Sequence, residues 1–344
     1  LTQHVSVKHL LKNWMLMLVQ FTPTSCFFKQ KTAYEIRIRD WSSDVCFRSC
    51  YIIPEISIDS AKAIAVMACN DGDFWNYVTG GSGKGRPVTK ALPIIAIPTT
   101  AGTGTEADPW AVITNEEKQE KIGFGCSLTF PALSIIDPEL MISIPPHLTA
   151  YQGFDAFFHA AEGFIANCAT PISDLYALEA IRLLYKYLPV AVNDGKNLKA
   201  RAKVAWASTL AGLVEATSSC TSEHSMEHAM SAYYPQLPHG AGLIALSEAY
   251  FETFRNDCMK RYMKMADVMT QQKSNRPSDF IDALARMKKE CHVDNIKLSE
   301  WGLKEEDLPK MVQNARDTMG GLFTLDPRPL TDDEVLNIYR QSYK

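Results

Sequence analysis

The residues best suited to chemistry stand in two short stretches. The first, GFDAFFHAAEG (153–163), places Asp155 and His159 four residues apart. On a helix such a pair shares one face, with Cβ atoms about 5–6 Å apart. The neighbours Phe154, Phe157, Phe158 and Ala161 make that face apolar. A carboxylate and an imidazole entering an apolar environment must be paired with each other or hold a metal. The plainer reading is a capping Asp with a nearby surface His. The second stretch, TSEHSMEHAMSAYYPQLPHG (221–240), weighs against it. His224 and His228 are again four apart, and His239 lies between Pro238 and Gly240, on a turn entering the next helix. Four of the eight histidines thus fall in two motifs. One Asp with three His suits ferrous iron (Fe2+) or zinc (Zn2+), and the fourth His would then stand behind the ligands. A third feature is the loop PTTAGTGTEAD (98–108), which follows an apolar run. Its backbone N–H groups and hydroxyls could meet a phosphate. Alone it is an ordinary turn.

These side chains need a scaffold, and the chain offers three kinds of segment. Residues 147–344 carry helical patterns at 173–192, 198–217, 240–254, 277–290 and 332–343, separated by Pro, Gly and Asn, and almost no strand signal. This predicts a helical domain. Residues 51–146 alternate strand and helix signals. They comprise a strand stub at 51–54, an Ala-rich helix at 59–68 capped by Asp59 or Ser57, and apolar runs at 92–98 and 133–137. That alternation predicts an α/β unit with a mostly parallel sheet. Residues 1–50 follow neither period.

Composition narrows the function. Hydrophobic residues make up 46% and charged residues 22%, as in an ordinary folded protein. A net charge of -4 leaves no basic excess to track nucleic acid. Nine cysteines without a C-x-x-C pair read as reduced thiols of a cytoplasmic protein. The early apolar run WMLMLVQF (14–21) is far shorter than the roughly 20 residues a bilayer needs, so no membrane partner is expected.

The order PTTAGTGTEAD, IIDPELMISIPP (135–146), GFDAFFHAAEG, EHSMEHAMSAYYPQLPHGAG and DPRPLTDDEVLNIY (326–339) resembles the iron-containing (group III) alcohol dehydrogenase family from about Ile58 onward. The resemblance implies a dehydroquinate synthase-like architecture. It combines an N-terminal dinucleotide-binding α/β domain, of which 51–146 is a remnant, with a C-terminal helical metal-binding domain over 147–344, and the site in the cleft between them. It implies Asp155, His159, His224 and His239 as ligands of Fe2+ or Zn2+, and His228 as a proton relay near substrate and nicotinamide. It implies Thr99, Thr100, Gly102 and Thr103 against the diphosphate and ribose of NAD or NADP, with Asp59, Asp108 and Lys121 at further cofactor positions. The reaction implied is reversible hydride transfer between a small alcohol and its aldehyde in a homodimer. A zinc-dependent polyol dehydrogenase is the neighbouring alternative. A metal-dependent hydrolase lacks H-E-x-x-H or a spare carboxylate base. Without the resemblance, Lys62, Glu162 and Lys121 read as a solvated helix charge, a helix cap and a loop charge.

The chain departs from that family at its start. The segment 27–46, FFKQKTAYEIRIRDWSSDVC, resembles translated sequencing-adapter sequence, which makes 1–50 a non-native segment. Where the family carries G-G-G-S-x-x-D-x-A-K, residues 53–62 read IPEISIDSAK. Asp59, Ala61 and Lys62 survive. Pro54 removes a donor and Glu55 brings negative charge toward a diphosphate. A metal-binding chain that takes up no cofactor is the resulting alternative. The expected outcome of a titration with NAD is weak or absent binding, and saturation at micromolar cofactor would refute it.

Overall fold

The computed structural model describes residues 56–343, all within one compact unit. The strand stub expected at 51–54 and the segment 1–50, expected to be non-native, lie outside the described residues.

Helix α1 spans Ile56–Met67. Asp59, expected at its cap, lies inside its first turn, because the helix begins three residues earlier. Its carboxylate accepts instead from Thr105 Oγ1 and from the Val112 amide, both at 2.9 Å. Lys62, one turn on, is not a solvated charge. It is 0% exposed, and its ammonium donates to the Thr105, Asp108 and Trp110 carbonyls at 2.8, 2.9 and 2.6 Å and to Thr105 Oγ1 at 2.6 Å. It also forms an ion pair with Asp108 at 3.3 Å. An ammonium carries three N–H donors, and in the interior each must find an acceptor, which the oxygens around Lys62 supply. Asp59 and Lys62 therefore bind α1 to the stretch after the Gly/Thr loop.

The sheet is smaller than the sequence suggests. Strand β1 (Ile95–Ala96) pairs parallel with β4 (Leu133–Ser134), in register Ile95–Leu133. Pro93 and Pro98 flank β1 and can donate no ladder hydrogen bond, which shortens the run expected over 92–98. Between them an antiparallel hairpin, not anticipated, joins β2 (Ala111–Asn115) to β3 (Glu120–Phe124). Lys121 thus sits on a strand and not in a loop.

Beyond residue 145 the described chain is helical: α2 (Pro146–Ile165), α3 (Pro171–Asn193), α4 (Leu198–Thr217), α5 (Ser222–Tyr233), α6 (His239–Thr253), α7 (Met259–Thr270), α8 (Ser278–Glu290), α9 (Leu308–Phe323) and α10 (Asp332–Tyr343). Of these, α7 and α9 were not anticipated. Their buried sets, Tyr262, Met265, Ala266, Met269 and Leu308, Met311, Val312, Ala315, follow helical spacing. Helix α2 is buried continuously from Gly153 to Ile165 and packs against α3, α4 and α6. Its Phe157 stacks on Phe280 of α8, and its Phe158 on Phe251 of α6.

Glycines set how closely the Gly/Thr loop meets these helices. A Cβ on Gly102 would lie 2.9 Å from the Gln152 carbonyl of α2. A Cβ on Gly212 of α4 would lie 2.1 Å from the Gly104 carbonyl, and Gly104 itself has φ +65. Backbone contact of this kind is open only to glycine. The Gly212→Ala substitution is expected to push α4 off the loop and cost about 1–3 kcal/mol. A thermal melt indistinguishable from that of the unsubstituted protein would refute this contact.

Candidate metal centre

Three imidazoles approach one carboxylate oxygen, and Asp155, His224 and His239 form a first cluster of possible ligand atoms, with His159 at its side. Asp155 and His159 face the same way from successive turns of α2. His224 enters from the first turn of α5 and His239 begins α6. Asp155 is 3% exposed. Its Oδ1 lies 3.4 Å from His239 Nε2, 3.5 Å from His224 Nε2 and 3.6 Å from His159 Nε2. These separations are long for hydrogen bonds of a carboxylate to imidazole. Ligands about 2.1 Å from a tetrahedral ion stand about 3.4 Å from one another. Asp155 Oδ1 and His224 Nε2 are buried without a hydrogen-bond partner. Orphaned donor atoms at that spacing, on Asp and His, fit a divalent cation.

Two further carboxylates fix the ring orientations. Glu162, a turn beyond His159, faces His224 Nδ1 through Oε1 at 2.5 Å. Its Oε2 accepts from the amide and hydroxyl of Thr221 at 2.7 and 2.9 Å. Glu162 is therefore not a helix cap. Glu227 of α5 receives His239 Nδ1 through Oε2, and the same oxygen lies 3.1 Å from Lys121 Nζ. An Nδ1–H bound to a carboxylate directs the Nε2 lone pair inward, the arrangement a ligating His requires. The sequence reading missed Glu227, although it stands at i+3 from His224.

Charge follows this geometry. Burial opposes ionisation of Asp155, but His159, His239 and His224 outweigh it and hold the carboxyl well below its ordinary value. Burial likewise opposes charge on His224, and Glu162 and Asp155 reverse it, raising His224 well above the usual range. His239 is raised against burial by Glu227 and Asp155. Glu227, despite burial, is lowered to about 2 by His239 and Lys121. The metal-free site thus gathers positive charge about Asp155, charge that a bound cation would replace.

His228 differs. Burial, then Lys121 and the His239 and His224 rings, push it well below the ordinary value, so it is neutral near pH 7. Its Nδ1 lies 2.9 Å from Met319 Sδ, where α9 departs from helical geometry. A thioether only accepts, so this contact places the proton on Nδ1 and leaves Nε2 a free base. Glu227, His228 and His239 form a second cluster of possible ligand atoms. Lys121 Nζ stands inside it, 3.2 Å from His239 Nδ1, and its charge opposes a cation there.

The remaining expected residues divide. Thr99 and Thr103 are half-buried and Thr100 and Gly102 buried in the loop wedged between α2 and α4. Asp59 and Asp108 are turned inward onto Thr105, Val112 and Lys62. Lys121 reaches Glu227, Ser231 and His239. The structure also brings in Glu215 of α4, unremarked in the sequence, with Oε1 at 3.6 Å from His159 Nε2.

Comparison with known proteins fits this arrangement. Residues 149–343 match the C-terminal model of the Fe-containing alcohol dehydrogenase family, and residues 56–138 match the iron-containing alcohol dehydrogenase model. Alcohol dehydrogenase 4 of Schizosaccharomyces pombe is 33% identical over 287 residues, covering 83% of this chain but only 66% of the yeast protein. Choline dehydrogenase of Bacillus subtilis is 42% identical over 190 residues, 55% of this chain and 47% of its own. The solved structure of an archaeal halo-thermophilic alcohol dehydrogenase from a Red Sea brine pool superposes with a TM-score of 0.80 at 33% identity, covering 88% of this chain and 81% of that one. With both family models matched in order along residues 56–343, the chain belongs to the iron-containing alcohol dehydrogenase family.

Proposed function

We propose that this protein is a metal-dependent alcohol dehydrogenase that transfers hydride reversibly between a primary alcohol or diol and NAD or NADP. The observation that carries the reading is the convergence of three imidazole Nε2 atoms at 3.4–3.6 Å on the unpartnered Asp155 Oδ1. Asp155, His159, His224 and His239 would hold Fe2+ or Zn2+, whose Lewis acidity lowers the pKa of a hydroxyl and polarises a carbonyl. The nicotinamide supplies the hydride chemistry.

The chain's own residues have distinct tasks in this reading. Glu162 and Glu227 hold the Nδ1 protons of His224 and His239, so both rings present Nε2 to the ion. Thr99, Thr100, Gly102 and Thr103 offer donors to the cofactor's diphosphate and ribose from a loop one turn above the ligands. Asp59 and Asp108 serve that loop from beneath, through Thr105 and Lys62. Lys121 keeps Glu227 ionised. His228, neutral and with Nε2 free, takes the proton that the hydroxyl releases.

A second reading is a chain that binds metal and performs no hydride transfer. It is favoured by the replacement of the glycine turn with IPEISI at 53–58. The two readings separate in one experiment. Anaerobically purified protein is loaded with Fe2+ or Zn2+, bound metal is counted, and NAD(P)H absorbance is followed with ethanol, butanol and propanediol. Turnover that His224→Ala abolishes is the expected result for the dehydrogenase. One bound ion per chain without turnover selects the second reading, and no bound ion overturns both. Glu162→Gln, which keeps the shape but loses the charge facing His224, is expected to weaken metal affinity by about 10–100-fold. Competition against a chelator measures this, and an unchanged affinity would remove Glu162 from the support of the site.

A further inference from the structure

We propose that Asp326 is a positioning residue for the metal centre: from the link between α9 and α10 it joins the three helices that carry the ligands, and it sets where His224 stands. The inference rests on the metal-centre reading above and deepens it.

Asp326 is 2% exposed and belongs to no helix. Its Oδ1 accepts from the Ser222 amide at 3.1 Å and from the Tyr250 hydroxyl at 3.0 Å. Ser222 is the first residue of α5, two before His224, and Tyr250 lies on α6, the helix that His239 begins. The backbone beside Asp326 is held in turn by Asn167, two residues past the end of α2. The Asn167 amide donates to the Leu325 carbonyl at 2.9 Å, and its Nδ2 to the Thr324 and Asp326 carbonyls at 2.8 and 3.1 Å. One short segment thus touches the end of α2, the start of α5 and the body of α6.

Helix α5 depends on acceptors from outside. The first N–H groups of a helix find none within it, and a hydroxyl at the N-cap commonly serves. Thr221 holds that position without capping the helix, because its hydroxyl donates to Glu162 Oε2 at 2.9 Å. The same Glu162 oxygen accepts from the Thr221 amide at 2.7 Å, and Asp326 accepts from the next amide, that of Ser222. The first turn of α5 is therefore set between two carboxyl groups. Glu162 also faces His224 Nδ1, whereas Asp326 reaches that ligand only through the backbone. His224 lies in this turn, so a slip of the turn moves its Nε2 directly against Asp155. Ligands must be held within about 0.5 Å of their working positions. The competing account is that Asp326 caps α5 for stability and leaves the ion unaffected. The two accounts predict different losses.

The test measures metal binding, not turnover. The metal-free protein is loaded with cobalt(II), whose visible absorption reports the geometry of its ligands. Affinity is measured by competition with a chelator, below the melting temperature of each metal-free variant, so that folded proteins are compared. Asp326→Ala leaves the Ser222 amide without its acceptor and is expected to shift the cobalt bands and weaken affinity by about tenfold or more. Asp326→Asn is expected to restore both, since an amide oxygen can accept the same bonds and Asp326 Oδ2, where the nitrogen would stand, has no partner to lose. A lower melting temperature with unchanged bands and affinity overturns the proposal and makes Asp326 a cap alone. Equal losses in both variants overturn it as well, because the accepting oxygen would then not be what matters. Should Asp326→Ala fail to fold, Asn167→Ala, at an exposed position, frees the same segment from α2. Severalfold weaker cobalt binding is then expected, and unchanged binding overturns the proposal. If the unsubstituted protein binds no cobalt, the metal-centre reading fails together with it, whereas cobalt bound alike by all the variants sinks the positioning role alone.

Discussion

A single buried carboxylate oxygen organises this molecule. Asp155 sits midway along α2, in a run buried continuously from Gly153 to Ile165, where an ion without partners would cost several kcal/mol. Three imidazoles from three helices compensate it, and each must be brought in by backbone that is itself well packed. The fully buried run of α2, the first turn of α5 and the start of α6 are fixed with respect to one another by this requirement as much as by the aromatic contacts of Phe157, Phe158, Phe251 and Phe280. The next tier, Glu162 and Glu227, answers the imidazoles in turn, and Thr221 and Lys121 answer those carboxylates. Polar groups therefore extend through the core as a connected set, in which each member is buried only because the next one is present.

The same logic connects the two parts of the chain. Lys121 on β3 reaches across to Glu227 of α5, and the hairpin is therefore coupled to the orientation of His239. On the other flank, Lys62 and Asp59 hold the segment from Thr105 to Val112 against α1. The Gly/Thr loop between these anchors meets α2 and α4 at bare backbone, through Gly102, Gly104 and Gly212. The surviving Asp and Lys of the family-like motif in α1 thus have a mechanical task that stands apart from the glycines the motif has lost.

Much of the site was legible before folding. The i, i+4 spacing of Asp155 with His159 and of His224 with His228, set among aromatic and small residues, pointed to one helical face each, and both motifs do lie on helices. The helices over 198–217 and 332–343 have the bounds their periodicity indicated. The hairpin was not legible, because AVITN and EKIGF are short, half-buried and joined by four charged or polar residues that resemble surface loop. The kink at Met319 that brings sulfur to His228 was hidden for a different reason: thioethers carry no pattern in sequence, and the distortion arises only where α9 meets α5.

The sequence alone determined which residue types were available and which of them shared a helical face. Local spacing is a property of the backbone and needs no partner. It paired Asp155 with His159 and His224 with His228 and distinguished the helical region from the mixed one, while the family resemblance singled out Asp155, His159, His224 and His239 as ligands. Tertiary structure alone decided which carboxylates stand behind the histidines, that Lys62 is buried, and that Glu215, 56 positions from His159, lies beside it. Those outcomes depend on which helix faces pack together. A charged residue on a helix reads the same in sequence whether it faces water or another helix, and only packing removes the water that would otherwise satisfy it.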